Sequence, residues 1–252
     1  MPKAYFLGTS GWYDSGTGNT VCTVLEYPEF NIILDAGGGF AKLDRYIDLE
    51  KPAYLFLSHL HLDHISGLHT LPKYAFRHDL HILLAKGSVN ALKVFMDFPY
   101  TAPASTFKKR MNYGIRITAL PARSIELPFR LSTLPMVHSV ETTGARIEAA
   151  GKVVSYVMDT GYCENAVELS RNADLLIAEC THRPGEKNPE WPHLAPEEAA
   201  RVALMASCKK LVLTHFDANR YPTMASREAS GRIARKTFKN TTSGCDGFMC
   251  GF

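Results

Sequence analysis

The stretch 58–64, with the sequence SHLHLDH, constrains this chain more than any other. It directly follows the apolar run 54–57, and a short apolar run of this kind is typical of a buried strand. Because side chains alternate along a strand, His59 and His61 can point to the same side and share one metal ion. The stretch therefore predicts a metal site at the end of a strand.

Asp63 and His64 follow where the chain turns into a helix predicted over residues 65–74. Their different direction suits a second ion beside the first. Three imidazoles and one carboxylate within six residues form a ligand set that zinc, manganese or iron accepts. The alternative interpretation is a histidine-rich polar turn that binds no ion.

The pattern HLHLDH, placed between a strand and a loop, resembles the HxHxDH signature of the metallo-β-lactamase superfamily. The glycine-rich loop that leads to Asn19 and Thr20, and the closing segment 238–247, are similar to the ribonuclease Z and small phosphodiesterase branch. This resemblance implies an α/β fold, an αββα sandwich of two packed mixed sheets flanked by helices, with two metal ions at one edge. Since no linker-like stretch divides the chain, we expect a single domain over residues 1–252.

Three further polar residues end strand-like runs, namely His138, Asp159 and His215. Taken alone, each is an ordinary polar residue at a strand end. The resemblance implies that they complete a site for two divalent ions, most simply zinc, with manganese or iron as alternatives. The implied set puts His59, His61 and His138 on one ion and Asp63, His64 and His215 on the other, with Asp159 between them.

Asp35 ends another predicted strand and precedes a run of glycines at 37–39. By resemblance to the strand-Asp-x-Gly element of the superfamily, Asp35 is expected to orient a metal-bound histidine. The alternative is an aspartate that only begins a turn.

The charge of the implied site favours an anionic reactant. Two divalent ions with two carboxylates and a bridging hydroxide leave a net charge of about +1, and paired ions suit in-line displacement at phosphorus. We therefore expect phosphodiester hydrolysis by attack of a metal-bound hydroxide. A metal-dependent acyl hydrolase, acting on a lactone, lactam or thioester, stays open because the same nucleophile attacks carbonyl carbon.

An alkoxide that leaves phosphorus needs a proton, so a phosphodiesterase needs an acid outside the ligand set. Glu179 and His193 match, by resemblance, a glutamate and histidine pair of ribonuclease Z and related phosphodiesterases, although their neighbours in the sequence differ. We predict Asp63, Glu179 and His193 as the catalytic residues. The alternative for the last two is a strand-end acid and a surface histidine.

Ribonuclease Z proteins insert a long arm that grips tRNA between the positions of His138 and Asp159. Only twenty residues separate the two here. A tRNA 3′-end endonuclease of the ribonuclease Z type is therefore the alternative. A cyclic nucleotide, a cyclic phosphate or the end of a short nucleic acid is the expected substrate.

Composition sets the remaining expectations. The formal charge of +3 permits an anionic substrate without demanding a nucleic-acid partner. No apolar run approaches the roughly 20 residues that a membrane helix needs, and six scattered cysteines suit a reducing compartment. We expect a cytoplasmic protein without a membrane partner, and the resemblance implies a homodimer.

Four successive strands are predicted for the second sheet, over residues 115–120, 129–137, 144–149 and 153–158. The segment 98–114 has neither a helical nor a strand period and is predicted to be a loop, either a solvated connection or a lid over the site.

Two features near the end of the chain complete the predictions. Cys245 and Cys250 could form a disulfide or a metal clip, or stay ordinary thiols. A basic helix is predicted over residues 225–239, with Arg227 among its exposed side chains.

Overall fold

A computed structural model describes residues 1–121 and 125–252 of the chain. Its strands, in chain order, are β1 (Lys3–Gly8), β2 (Ser10–Gly11), β3 (Cys22–Glu26), β4 (Asn31–Leu34), β5 (Ala53–Phe56), β6 (Leu80–Ala85), β7 (Ile115–Leu120), β8 (Arg130–Pro135), β9 (Thr143–Ala149), β10 (Lys152–Val157), β11 (Leu175–Glu179), β12 (Leu211–Thr214), β13 (Phe216–Asp217), β14 (Thr241–Ser243) and β15 (Met249–Gly251).

The α-helices are α1 (Leu62–Ile65), α2 (Val89–Phe95), α3 (Phe107–Met111), α4 (Glu164–Ser170), α5 (Pro196–Met205) and α6 (Met224–Thr237). Short 3₁₀ helices cover Gly38–Arg45, Ser66–Lys73, Lys86–Ser88 and Ala104–Thr106. No helix in residues 1–121 and 125–252 is long and apolar enough to cross a membrane.

Two mixed sheets form the centre of the described structure. One has the strand order β15-β1-β3-β4-β5-β6-β7, and the other has the order β14-β12-β11-β10-β9-β8. Strands β4 to β7 run parallel in the first sheet, and β10, β11, β12 and β14 run parallel in the second. The antiparallel pairs lie beside them. In the first sheet they are β15 with β1, β1 with β3 and β3 with β4, and in the second they are β8 with β9 and β9 with β10.

The buried side chains form three layers, which confirms the predicted αββα sandwich. Between the sheets, Phe56 of β5 and Tyr156 of β10 belong to one apolar cluster. Outside the first sheet, Phe40 and its neighbours pack the 3₁₀ helices against it, and outside the second sheet Val202 of α5 belongs to a third cluster. Helices therefore cover both outer faces of the paired sheets.

The strand β7, Ile115–Leu120, was predicted in the second sheet, and this prediction is wrong. It pairs in parallel with β6 and forms the edge of the first sheet. A parallel pair needs a long crossover, and the residues between Ala85 and Ile115 supply it. Sequence order does not reveal which sheet a crossover returns to.

The segment 98–114 contains helix α3, so the prediction of an irregular loop is wrong in part. Phe107 and Tyr113 are buried in the cluster outside the first sheet, and Lys108 pairs with Asp79. The segment thus packs on the outside of the sandwich rather than forming a lid over the candidate site.

Two predictions near the end of the chain are also resolved. Cys245 and Cys250 are both free thiols, so the disulfide alternative is wrong. Arg227 of α6 is fully buried, where it donates hydrogen bonds to the hydroxyls of Thr9, Ser10 and Thr17. The prediction of an exposed Arg227 is wrong because its partners are distant in sequence.

Candidate metal centre

The predicted site residues meet at one edge of the paired sheets. His59 and Asp35 follow the parallel strands β5 and β4, while Asp159 and His215 follow the parallel strands β10 and β12. The carboxyl ends of parallel strands lie at the same edge of a sheet, so these side chains are brought together from the whole chain. Asp35, Asp159 and His215 also have positive φ angles of 57°, 41° and 53°, in a region sparsely populated by residues other than glycine, which is typical of functional sites.

The first cluster consists of His59, His61 and His138. The His138 Nε2 atom lies 3.3 Å from His61 Nδ1. The Asp159 Oδ2 atom lies 3.6 Å from His59 Nε2 and 3.7 Å from His138 Nε2. The four ligand atoms that these residues offer all lie within 4.8 Å of one another.

The second cluster consists of Asp63, His64 and His215. The Nε2 atoms of His64 and His215 are 3.1 Å apart, and His215 Nε2 is 3.2 Å from Asp63 Oδ2. Asp159 reaches this cluster as well, since its Oδ1 atom lies 3.3 Å from His64 Nε2 and 3.2 Å from His215 Nε2. One oxygen of Asp159 therefore faces each cluster.

The separations between the donor atoms are close to those expected around a metal ion. Ligands of a tetrahedral ion with bonds of ~2.0–2.1 Å are roughly 3.4 Å apart, which is close to the separations found here. The buried atoms His59 Nε2 and Asp159 Oδ1 make no hydrogen bond within the described part of the chain. Buried polar atoms are rarely left without a partner, so these two groups of residues could hold metal ions.

A buried hydrogen-bond network holds the second cluster in place. The Asp35 Oδ2 atom lies 2.7 Å from His64 Nδ1, and it accepts from the hydroxyls of Ser58 at 2.7 Å and Tyr156 at 2.9 Å. On the other side, Thr181 Oγ1 lies 3.0 Å from His215 Nδ1. Both imidazoles are thereby oriented with Nε2 towards the site.

Burial sets the charge state of the first cluster. Burial lowers the pKa of His59, His61 and His138, and the lowering is largest for His59, which is the most deeply buried of the three and also has His64 beside it. A lowered pKa keeps an imidazole neutral, which is the form that binds a metal ion.

Carboxylates dominate the second cluster instead. Burial alone would lower the pKa of His64 and His215, but Asp159 and the other aspartates outweigh it and raise both values. Burial would likewise raise the pKa of Asp63, but His64 and His215 hold it below its ordinary value. Asp159 also stays ionised, because its histidine neighbours lower its pKa despite complete burial.

Glu179 and His193 form a buried pair beside the clusters. The His193 Nδ1 atom lies 2.8 Å from Glu179 Oε1, and Glu179 also accepts hydrogen bonds from the backbone N–H groups of Thr160 and Thr181. Burial would lower the pKa of His193, but Glu179 raises it to about 9. The ring is therefore oriented by Nδ1, which leaves Nε2 to act on a bound molecule.

An open cavity of about 350 Å³ gives access to the site. Its lining includes the candidate ligands His61, Asp63, His138, Asp159 and His215, together with His193. The remaining lining side chains include two tryptophans, Trp12 and Trp191, and Asp217. Ligands of both clusters and the predicted proton donor therefore border the same cavity.

Several supporting residues were missed from the sequence. Ser58 directly precedes His59 and Thr181 follows Glu179 by two residues, and this closeness in sequence was the available signal. Tyr156 has no such signal, because it is an ordinary aromatic residue of an apolar strand until the fold brings its hydroxyl to Asp35. His182 is buried and follows Glu179 by three residues. Its ring lies 5.7 Å from the His193 ring, and it is not among the cavity-lining residues.

Comparison with known proteins identifies the family. A profile described as the β-lactamase superfamily domain matches residues 30–216. The chain belongs to the β-lactamase superfamily. As a superfamily member it is 27% identical over 219 residues to "Probable metallo-hydrolase YhfI" of Bacillus subtilis, covering 85% of this chain and 86% of that protein. It is 30% identical over 207 residues to "Uncharacterized protein Rv1339" of Mycobacterium tuberculosis, covering 78% of this chain and 72% of that protein.

Three solved structures share the fold over 99% or more of the chain. The crystal structure of YhfI from Bacillus subtilis matches with a TM-score of 0.80 at 22% identity, covering 99% of this chain and 98% of that one. The short form of human tRNase Z matches with a TM-score of 0.74 at 20% identity, covering 99% and 98%. A diphosphatase from the PhnP family matches with a TM-score of 0.75 at 16% identity, covering 100% and 98%.

Proposed function

We propose that this superfamily member is a dinuclear-metal phosphodiesterase that acts on a small or short phosphodiester. The observation that carries the proposal is the position of Asp159, whose two oxygens face two separate ligand clusters. A carboxylate so placed suits a pair of ions rather than one. Two bound divalent ions would supply a water of lowered pKa as the nucleophile and positive charge for the phosphate oxygens.

The residues of the chain would have distinct tasks. His59, His61 and His138 would hold one ion, Asp63, His64 and His215 the other, and Asp159 both. Because only two carboxylates belong to this set, the loaded site keeps a net positive charge that favours an anionic diester over a neutral lactone or lactam. Asp63 is also held by the backbone N–H of Trp12, at 2.7 Å from Oδ2, which fixes the carboxylate for its ion.

His193 would give a proton to the departing alkoxide. Glu179 fixes the imidazole through Nδ1, and the ring lies 5.0 Å from the His138 ring, at the side of the first cluster. A proton donor outside the ligand set is what an alkoxide leaving group requires and a thiolate mostly does not. This pair therefore supports a phosphodiester over a thioester.

The chain between His138 and Asp159 supports a small substrate. It contains β9 and β10, which pair antiparallel from Ala145–Tyr156 to Ala149–Lys152 and turn at Ala150 and Gly151. This interval is filled by a tight hairpin, which leaves no length for an arm that could grip tRNA. The names of two structural neighbours, a tRNase and a diphosphatase, support chemistry at phosphorus.

The test is a turnover screen of the metal-loaded protein. The substrates are bis(p-nitrophenyl) phosphate, p-nitrophenyl phosphate, a homoserine lactone and an acyl thioester, with the Asp159→Ala variant as the blank. We expect the diester to be cleaved fastest by kcat/KM. Preference for the lactone or the thioester would replace the proposal with the acyl-hydrolase alternative.

A second screen tests substrate size. We expect cleavage of a cyclic nucleotide or a dinucleotide at least as efficiently as cleavage of precursor tRNA at its 3′ end. Accurate tRNA cutting without activity on small diesters would establish the tRNA endonuclease instead. Homodimer formation stays a prediction, which light scattering on the purified protein would test.

A further inference from the structure

Two tryptophans form an aromatic wall at the mouth of the cavity. Trp12 lies in the loop after β2, Trp191 lies in the loop before α5, and both line the cavity. Their ring centroids are 5.5 Å apart in an edge-to-face arrangement. Trp12 leaves 59% of its surface exposed to solvent, so a large flat apolar surface borders a site of buried charges.

The backbone holds Trp12 in this position at an energetic cost. Its φ angle is 74°, in the left-handed region that a bulky residue rarely adopts. Its N–H donates to Asp63 Oδ2 at 2.7 Å, and the preceding Gly11 lies so close to the second cluster that a Cβ there would be 2.6 Å from the His215 ring. Strained residues at such sites are typical of positions that contact a ligand.

Trp191 is fixed from the other side. The Arg220 guanidinium lies over its ring, 4.9 Å from the centroid, and is itself held by Glu186 and Asp217. The edge of the wall also contacts the predicted proton donor, since the Trp191 and His193 rings are 4.5 Å apart. The wall is thus held in place at Trp191 and directly adjoins the predicted proton donor.

We propose that the Trp12–Trp191 wall binds the nucleobase of the substrate, so that the phosphodiester cleaved here belongs to a nucleoside. This inference rests on the proposed function and names its substrate class. Ions at the two clusters select a phosphate, and an exposed aromatic wall beside them selects a flat π system. A nucleoside phosphodiester carries both groups, whereas a sugar or glycerol phosphate carries only the first. Bases stack on aromatic side chains with little regard to sequence, so the wall gives preference for nucleosides rather than for one base.

Direct binding tests the wall without catalysis. Trp12 and Trp191 are the two tryptophans of the chain, so intrinsic tryptophan fluorescence reports only on this wall. We expect adenosine 5′-monophosphate to quench the fluorescence of the metal-loaded protein. Ribose 5-phosphate at the same concentration supplies the same phosphate and should quench far less. Equal responses to the two compounds would overturn the proposal.

Kinetics test the wall in the reaction. We expect Trp12→Ala and Trp191→Ala to reduce the ratio of kcat/KM for a cyclic nucleotide to that for glycerol 1,2-cyclic phosphate by ~5- to 150-fold, chiefly through KM. Trp12→Phe, which keeps a flat ring, should restore most of this ratio, and Trp12→Leu should not. Phe98→Ala is the matched control, because Phe98 is 78% exposed on the outside of the sandwich.

The outcomes separate this inference from the proposed function. Equal losses on both cyclic phosphates would overturn the nucleobase wall and leave the phosphodiesterase standing. Quenching by adenosine 5′-monophosphate in a protein that cleaves neither diester would support the wall and end the phosphodiesterase proposal.

Discussion

The two candidate metal clusters share Asp159 but differ in how their other ligands are supported. In the second cluster, His64 and His215 are buried and oriented through Nδ1 by Asp35 and Thr181. In the first cluster, His61 and His138 are only partly buried, and His138 Nδ1 has no hydrogen-bond partner in the described residues. Mutation of a residue that orients a metal ligand typically lowers metal affinity ~10- to 100-fold. We therefore expect the second cluster to bind its ion more tightly and the first to exchange more readily.

The two clusters also differ in what surrounds them. Both clusters border the cavity, but the second cluster also lies against the buried Asp35 network, whereas the first cluster has the histidine ring nearer to His193, the predicted proton donor. A site that must bind and release a substrate needs ligands that border an open cavity. This access is expected of a catalytic centre rather than of a structural metal site, which is closed on all sides.

The largest effect should follow removal of the residue that both clusters share. In Asp159→Ala we expect each chain to lose one or both ions. Activity should fall ~10³-fold or more, because several kcal/mol of transition-state stabilisation are lost. Elemental analysis and diester kinetics measure the two effects. Asp44→Ala, an exposed aspartate paired with Lys73, is the control. Full metal content in Asp159→Ala would remove its bridging role.

The next effect concerns His193 on the open side. His193→Ala should reduce activity by ~10²- to 10⁴-fold on an alkyl or nucleoside diester, with both ions still bound. A nitrophenyl diester should suffer much less, because its phenolate departs without a proton. Glu179→Gln should show the same pattern more weakly.

His78→Ala, an exposed histidine outside the cavity, is the matched control for His193→Ala. Equal losses on the alkyl and nitrophenyl diesters would show that His193 binds phosphate or shapes the cavity. The proton donor would then have to be another residue.

The asymmetry itself can be reversed at Asp35. In Asp35→Asn, the His64 imidazole loses its carboxylate partner, so the affinity of the second cluster should fall ~10- to 100-fold while that of the first changes little. Competition with a chromophoric chelator measures both affinities. The first ion to be lost should then come from the second cluster, and an unchanged order of loss would refute the supporting role of Asp35.

The smallest effect is expected at Thr181. Thr181→Val keeps the shape of the side chain and removes the hydroxyl that lies 3.0 Å from His215 Nδ1. One neutral hydrogen bond contributes about 0.5–1.5 kcal/mol, so metal affinity should fall ~2- to 10-fold. A loss as large as that of Asp35→Asn would mean that the hydroxyl, rather than the carboxylate, orients this cluster.

The sequence predicted the parts of the site that are local. Residues 58–64 carry four candidate ligands within six consecutive positions. The strand-end positions of Asp35, His138, Asp159 and His215 follow from apolar runs that end in a polar residue. The pairing of these distant residues came from the family resemblance. The spacing of residues along the sequence does not by itself predict that Asp159 lies beside His59.

What the sequence did not predict depends on contacts between distant segments. Arg227 belongs to a basic helix whose charged side chains are predicted to be exposed. Only the fold brings it to the hydroxyls of Thr9 and Ser10. Trp12 belongs to a polar loop, and its meeting with Trp191 joins residues that are far apart along the chain. The prediction that Ile115–Leu120 belongs to the second sheet was wrong for the same reason, because its sequence is compatible with either sheet.

Stepwise titration of the metal-free protein with zinc tests the two-ion site most directly. Bound zinc and cleavage of a small diester are measured together at each addition. We predict that the protein takes up two ions per chain, that the first equivalent gives little activity, and that activity rises with the second. Full diester cleavage at one equivalent, or uptake that stops at one ion, would contradict the two-ion mechanism.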